Sequence, residues 1–230
     1  MVLRNRIFPL CFRILTVGIG VSAIVTTMVA GGGFGSWAYY TLQSNLLVLG
    51  VTIALLVLTI MDVVRFGLKG ESSHLTSLHF VTTVSIMITF LVFWVLLAPS
   101  AFSMSSEYHL WSYFNLTVHG IVPLLCLADY MIFNRPKKHS LSLFGLVTIF
   151  PLAYLAFALI MGFSGYVFNI TAEGVPIRFP YFFIDYDKNG LWIIAWIFGV
   201  LLLFLAVAAI LYFYDHFRIR RASREQINIS

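Results

Sequence analysis

Five long stretches of the chain carry no charged residue and are dense in apolar side chains. They cover residues 14–61, 72–106, 108–128, 139–172 and 189–214. A helix needs about 20 apolar residues to cross a bilayer, so each stretch is long enough to do so. The first is long enough for two spans and is broken by the glycine-rich segment 31–36, which favours a turn. The pattern predicts six spans, near residues 11–30, 37–61, 76–98, 110–133, 141–164 and 191–214.

The spans are predicted to be helices because their apolar character does not alternate. Residues 46–60 and 193–210 are apolar on all sides, whereas the strands of a transmembrane barrel alternate in polarity. With 60% hydrophobic and only 10% charged residues, the composition excludes a soluble domain. We therefore expect an all-α integral membrane protein, a six-transmembrane-helix bundle forming a single domain over residues 1–230.

The basic residues predict the orientation of the bundle. Of the 14 Lys and Arg residues, only Arg178 and Lys188 fall on the side of a six-pass chain opposite to its termini. The positive-inside rule then places both termini in the cytoplasm. The net charge of +5 indicates anchoring to anionic lipid and does not indicate a nucleic-acid partner. Arg4 and Arg6 precede an apolar run that is long for a signal peptide, so we retain it as the first span.

The longest predicted connection is the extracytoplasmic loop 165–190. Its segment 178–185, Arg-Phe-Pro-Tyr-Phe-Phe-Ile-Asp, is dense in aromatic residues. This composition is typical of a lid lying on the membrane surface. A loop that only covers the helix ends remains an equal alternative.

Polar residues inside the second and fourth spans are the main indication of function. Thr41, Ser44 and Asn45 share one face of a helix, as do Asn115 and His119. Exposing such groups to lipid is unfavourable, so both faces should point into the bundle and towards each other.

The depth of these residues can be counted from the tryptophans at the membrane surface. His119 is eight residues past Trp111 and Asn45 is eight past Trp37, which places both about 12 Å below the outer interface. Thr41 lies about 6 Å higher. Side chains of both helices tilt towards the outer surface, so His119 can meet Thr41, or else Asn45 or Ser44 at its own level.

A hydroxyl next to an imidazole suggests nucleophilic catalysis. A threonine hydroxyl is inert near neutral pH unless a base removes its proton, which makes Thr41 a candidate nucleophile and His119 its base. The structural alternative is that Thr41 bonds the carbonyl one turn back and the polar faces only hold helices together. Candidate donors to an oxyanion are Gln43, Ser44, Asn45 and Asn115.

The other ionisable residues do not predict a cofactor or metal site. Haem would need axial ligands at one depth, but His79 and His119 belong to opposite ends of their spans. No second ligand for zinc is predicted near His119. We expect Asp129 to pair with Arg135 or Lys137. Histidines expected in solvated positions are His74, His109, His139 and His216.

Three features of the sequence resemble a known family. They are the segment Tyr-Tyr-Thr-Leu-Gln-Ser-Asn-Leu-Leu at 39–47, the mid-span His119 and the segment Pro-Tyr-Phe-Phe-Ile-Asp at 180–185. Together they resemble a bacterial branch of the androgen-induced-gene family of six-pass membrane proteins. The resemblance implies a threonine hydrolase of fatty acid esters of hydroxy fatty acids, with Thr41 as nucleophile and His119 as base. It also implies membrane lipids as partners, a lipid ester as substrate and a bacterial cytoplasmic membrane. Within its third motif, Tyr181 and Asp185 are further candidates for binding substrate or oxyanion.

A second interpretation is a membrane binding or transport protein with a polar cavity around His119 and no hydrolytic activity. Transporters commonly contain internal repeats and broken helices. Neither is visible in the sequence, so this interpretation ranks below the hydrolase. A structural scaffold ranks third.

Overall fold

The computed structural model describes residues 5–30, 33–99, 110–171 and 174–227. Within these ranges, six helical segments are long and apolar enough to cross a membrane, as predicted. Five are α1, Ile7–Ala30; α2, Tyr40–Phe66; α3, Thr76–Leu97; α4, Tyr113–Phe133; and α5, Ser142–Phe163. The sixth joins the short helix α6, Tyr186–Asn189, through the 3₁₀ turn Gly190–Trp192 to α7, Ile193–Ile227.

Helix α3 lies at the centre of the bundle. It contacts α2, α4, α5 and α7, whereas α1 packs on α2 and α4 at the outside. All eight of its residues from His79 to Ile86 are buried. These eight residues cover the whole circumference of the helix, so neighbouring elements surround it. The small, fully buried Ala158 and Ala208 let α5 and α7 approach it closely.

An ion pair inside the bundle corrects the prediction for Asp129. Its carboxylate accepts hydrogen bonds from Arg13, with Nη2 to Oδ1 at 2.9 Å, and not from Arg135 or Lys137. Arg13 is fully buried and also donates to Thr59 Oγ1 at 2.6 Å. The prediction considered only basic residues close in sequence, but α1 packs directly on α4. The pair thus joins α1, α2 and α4 within the apolar part of the bundle.

Several loops meet at one end of the bundle, which we call the basic end. The Arg6 guanidinium donates to Gly67 and Glu71 carbonyls of the α2–α3 loop, and Arg135 pairs with Glu71. Arg218 donates to the Asn134 carbonyl at 3.0 Å. The starts of α1 and α3, the end of α4 and the last turns of α7 therefore share this end.

One prediction at the basic end is wrong. His139 is buried, with Nε2 at 3.2 Å from Asp215 Oδ2 on α7, because the α4–α5 loop folds inwards over the helix ends. Helix α7 continues beyond the predicted span at 191–214 to Ile227. The apolar pattern stops at 214, whereas Arg, Ala, Glu and Gln continue a helix well in water.

The loop between α5 and α6 is folded against the opposite end of the bundle, which we call the lid end. It contains the antiparallel strands β1, Asn169–Ile170, and β2, Pro176–Ile177, and a 3₁₀ turn, Phe182–Ile184. Phe179 is almost fully buried against α5, where a Cβ at Gly162 would overlap its ring. Glycine is therefore required at 162 for this close approach.

Candidate active site

The structure brings Thr41 and His119 into direct contact. Thr41 lies in the first turn of α2 and His119 lies in α4, and Thr41 Oγ1 is 3.2 Å from His119 Nε2. The sequence left Thr41, Ser44 and Asn45 open as partners of this imidazole. Of these three, Thr41 is the one whose side chain bonds to the ring.

The second ring nitrogen determines the direction of this hydrogen bond. His119 Nδ1 lies 3.2 Å from the Asn115 carbonyl oxygen one turn earlier in α4. A carbonyl can only accept, so Nδ1 carries the proton and Nε2 of the neutral ring accepts. The Thr41 hydroxyl therefore donates to Nε2, as a nucleophile donates to its base.

A π-turn in α4 presents His119 at this position. The turn spans Thr117–Ile121, and the N–H of Val122 donates to the Thr117 carbonyl. Two residues after the turn comes Pro123, which has no N–H for the carbonyl of His119. That carbonyl instead accepts from the Trp94 indole at 3.0 Å. The local sequence thus opens the helix and supplies a replacement donor from α3.

A second π-turn, Phe93–Leu97 of α3, faces the imidazole from the other side. The Phe93 ring stacks on the His119 ring, with centroids 3.7 Å apart and planes within 8°. Phe93 thus packs on one face of the imidazole, while Trp94 holds the backbone carbonyl of the same residue. Single π-turns are frequent at functional sites because they re-aim side chains within a helix.

Asn45 and Ser44 hold the turn that carries Thr41. Asn45 Nδ2 donates to the Thr41 carbonyl at 2.8 Å and across to the Val118 carbonyl of α4 at 3.1 Å. Ser44 Oγ donates to the same Thr41 carbonyl at 3.1 Å and lies 2.8 Å from Thr89 Oγ1 of α3. These contacts fix α2 against α3 and α4 beside the hydroxyl. In this structure their donors are used for positioning.

A cavity of about 690 Å³, including its open mouth, lies on the other side of Thr41. Its walls come from α2, α3, α5, α7 and the turn at 182–184, and most of the lining side chains are apolar. Thr41 is part of the wall, whereas His119 lies behind it and is only 8% exposed. An apolar lining with a few polar groups is typical of sites that hold small organic ligands.

Tyr181 of the lid loop lines the same cavity beside Thr41. Its ring stacks on Phe183 with centroids 5.3 Å apart, and its phenol lies within hydrogen-bonding reach of Thr41 and Tyr154. Burial raises the pKa of Tyr181, with a smaller opposing effect of these hydrogen bonds. The phenol is therefore protonated near neutral pH and able to donate.

The remaining predicted residues do not line the cavity. Gln43 Nε2 donates to the Trp37 carbonyl at 3.1 Å. Asp185 accepts from the N–H of Asp187 and caps α6. Asn115 meets the site through its backbone carbonyl.

Sequence reasoning missed four residues around the site, namely Thr89, Phe93, Trp94 and Tyr154. Thr89 is a polar residue within a predicted span and could have been found by the reasoning used for Thr41. The aromatic residues look like ordinary span residues.

Among the described residues, no group of three or more His, Cys, Asp or Glu side chains could hold a metal ion. No protein-family model, curated protein or solved structure matches this chain.

Proposed function

We propose that the protein is an intramembrane threonine hydrolase of lipid esters, a bacterial member of the androgen-induced-gene family. One observation carries the proposal. The Thr41 hydroxyl donates to His119 Nε2 while His119 Nδ1 is held by a carbonyl, and the hydroxyl lies on the wall of an apolar cavity. A nucleophile, its base and a group orienting the base are the parts that nucleophilic catalysis requires.

In the proposed first step, Thr41 Oγ1 attacks the carbonyl carbon of an ester while its proton moves to His119 Nε2. The new Oγ1–C bond replaces the C–O bond of the leaving alcohol, which takes the proton from His119. In the second step a water molecule gives a proton to His119 and attacks the acyl-threonine. The acid leaves and Thr41 recovers its proton, so the net reaction consumes one water per ester.

The negative charge on the carbonyl oxygen needs donors that face the cavity. Helix α2 begins at Tyr40, and its N-cap residue Tyr39 makes no side-chain hydrogen bond to the first turn. The first N–H groups of a helix have no partner within the helix and carry a partial positive charge. We assign the oxyanion to the Tyr181 phenol, towards which the N–H groups of Tyr40 and Thr41 are directed.

The mouth of the cavity supports substrate access from the lipid. The partly or fully exposed lining residues include Leu152 and Leu155 on α5 and Ile197 and Leu201 on α7, all of them apolar. A lipid ester would therefore move sideways between these helices. We place the basic end in the cytoplasm by the positive-inside rule, and so the lid end and Thr41 in the outer half of a bacterial cytoplasmic membrane.

Turnover of fatty acid esters of hydroxy fatty acids by the purified protein tests this proposal. Thr41→Ala should abolish release of the acid and leave the bundle folded, because Ser44 and Asn45 hold this turn through the Thr41 backbone carbonyl and not through its side chain. Thr52→Ala is the matched control, since Thr52 is a buried threonine of the same helix and lies about three turns from Thr41. A folded Thr41→Ala protein that hydrolyses the ester at the wild-type rate would exclude the proposed nucleophile.

A further inference from the structure

The cavity beside Thr41 is closed at its inner end. Going from the lid end towards the basic end, its lining on α3, α5 and α7 stops at Ile88, Pro151 and Phe204. The residues one helical turn deeper have no exposed surface and belong to one packed core. They are Val84, Val147 and Ala208. The cavity is therefore blind and does not continue through the bundle.

The depth of the cavity follows from the helices that line it. On α7 the lining runs from Ile197 to Phe204, and on α3 from Leu97 to Ile88, which corresponds to about 10–13 Å at 1.5 Å per residue. One leaflet of a bilayer contributes about 15 Å of hydrocarbon. The cavity is thus shorter than the space that one chain of a membrane lipid occupies.

Phe204 forms the floor. Its side chain is 2% exposed, and its ring meets the Tyr40 ring edge-on, with centroids 6.3 Å apart. Above this floor α7 contributes only the apolar Val200, Leu201 and Ile197, whereas Thr41 and Tyr181 are at the lid end. A straight chain attached to a carbonyl at Thr41 can therefore extend along α7 until it reaches Phe204.

We propose that this cavity holds the acyl chain of the ester, and that Phe204 sets the maximum chain length. The proposal rests on the hydrolase function above and specifies the substrate as an ester of a straight, medium-length acid. The acyl chain occupies the blind cavity, and the alcohol leaves through the mouth between α5 and α7. Acyl chains as long as those of bilayer lipids do not fit.

Alkyl fluorophosphonates of graded length test the assignment, because the alkyl group on phosphorus takes the place of the acyl chain. Thr41 Oγ1 displaces fluoride, and His119 takes the proton. The rate of Thr41 labelling is measured with octyl, dodecyl and hexadecyl probes on protein in detergent. Octyl should react faster than hexadecyl by about tenfold or more, since differences of a methylene or more in a closed apolar site discriminate at this level.

Two substitutions on α7 should shift this preference in opposite directions. Phe204→Ala deepens the cavity and should raise hexadecyl labelling relative to octyl by about tenfold. Val200→Phe, one turn above the floor, shortens the cavity and should depress dodecyl labelling while octyl still reacts. Phe198→Ala is the control, because Phe198 is 65% exposed on the outer face of α7 and should keep the wild-type preference. Val200→Phe also provides a test that does not depend on stable folding of Phe204→Ala.

The possible results separate the two proposals. Thr41 labelled at equal rates by all three probes, or a preference unchanged in both cavity variants, overturns the acyl pocket and leaves the hydrolase standing. A folded wild-type protein in which no probe labels Thr41 overturns the hydrolase and, with it, the acyl pocket. A length preference that moves in opposite directions in the two variants supports both.

Discussion

At the scale of the residue, the reactivity that we propose for Thr41 depends on a single imidazole nitrogen 3.2 Å from its hydroxyl. The base is oriented by the Asn115 carbonyl, which is neutral, where many hydrolases use a carboxylate. A neutral acceptor fixes the tautomer of His119 without adding a charge to an apolar part of the bundle. Such an arrangement suits a site that opens to lipid.

Tyr181 provides a prediction at this scale. Tyr181→Phe removes the proposed phenolic donor to the oxyanion and should lower kcat by about 10²–10³, the usual effect of losing one such donor. KM should change little, because the aromatic ring still stacks on Phe183. Kinetics with a lipid ester in detergent micelles measures both constants.

The matched control is Tyr39→Phe. The Tyr39 ring lies beside the Tyr181 ring, with centroids 6.2 Å apart, but its hydroxyl donates to the Phe168 carbonyl at 3.1 Å. Burial, with a smaller effect of Tyr181 and Tyr166, raises the pKa of Tyr39 to about 12, so both phenols are protonated at neutral pH. If both variants lose kcat equally, Tyr181 acts by supporting the lid and not as a donor.

At the scale of the element, the two π-turns are the devices that make the site. Each lies in a helix otherwise suited to crossing a membrane, and each turns an aromatic or imidazole ring towards the other. In α4 the turn depends on Pro123 leaving the His119 carbonyl free for Trp94.

Pro123→Ala tests this dependence. The alanine N–H can bond the His119 carbonyl and restore regular helix, which would rotate the imidazole away from Thr41. We expect hydrolysis to fall about tenfold or more, since small displacements in an active site have effects of up to 10². The helix content by circular dichroism should not fall. Undiminished hydrolysis by this variant would show that the proline does not position His119.

The Arg13–Asp129 pair provides a second prediction about elements. Asp129→Asn leaves the fully buried guanidinium without its counter-charge, and removing one partner of a buried pair lowers the free energy of unfolding by about 3–5 kcal/mol. The double variant Arg13→Met with Asp129→Leu should recover most of this loss, because no charge then remains buried. Thermal unfolding in detergent compares the three proteins. Equal destabilisation of the single and double variants would contradict the account.

At the scale of the whole molecule, the basic end links the helices through His139 and Asp215. Burial lowers the pKa of His139, with an opposing effect of the Asp215 carboxylate. A histidine whose pKa is lower in the folded than in the unfolded protein binds a proton less readily in the folded protein. Its contribution to stability is fully present above the unfolded pKa of about 6.5 and is lost as the pH falls through the folded pKa. The stability of the wild type should therefore decrease below about pH 6.5.

His139→Gln tests this pH dependence, since glutamine can still donate to Asp215 but does not titrate. The midpoint of thermal unfolding, measured in detergent as the pH is lowered through the ordinary histidine pKa of about 6.5, should fall less in the variant than in the wild type. Parallel curves for the two proteins would show that His139 does not contribute to the slope.

The sequence predicts the spans of this molecule better than its internal contacts. Charge-free apolar runs locate the helices, because the bilayer requires a minimum length of each one. Helical spacing also predicts that the Thr41 and His119 faces meet. It leaves Thr41, Ser44 and Asn45 open as partners, because the π-turn at 117–121 changes the direction of His119.

Contacts between distant parts of the chain are where the predictions fail. Arg13 and Asp129 are separated by 116 residues, and their pairing depends on which helices are neighbours. His139 belongs to a polar loop, and its burial depends on how that loop folds over the helix ends. The Tyr181 phenol reaches Thr41 only through the fold of the lid loop. Helix neighbours and loop paths leave no periodic signal in the sequence.

The activated hydroxyl of Thr41 is the central claim, and covalent labelling with a lipophilic fluorophosphonate tests it most directly. The adduct on purified wild-type protein is located by mass spectrometry and compared with Thr41→Ala, His119→Ala and the control Thr52→Ala. We predict an adduct on Thr41 in the wild type and in Thr52→Ala, and none in the other two variants. A folded wild-type protein without this adduct, or undiminished labelling of Thr41 in His119→Ala, would contradict the account and favour a binding protein with His119 in its cavity wall.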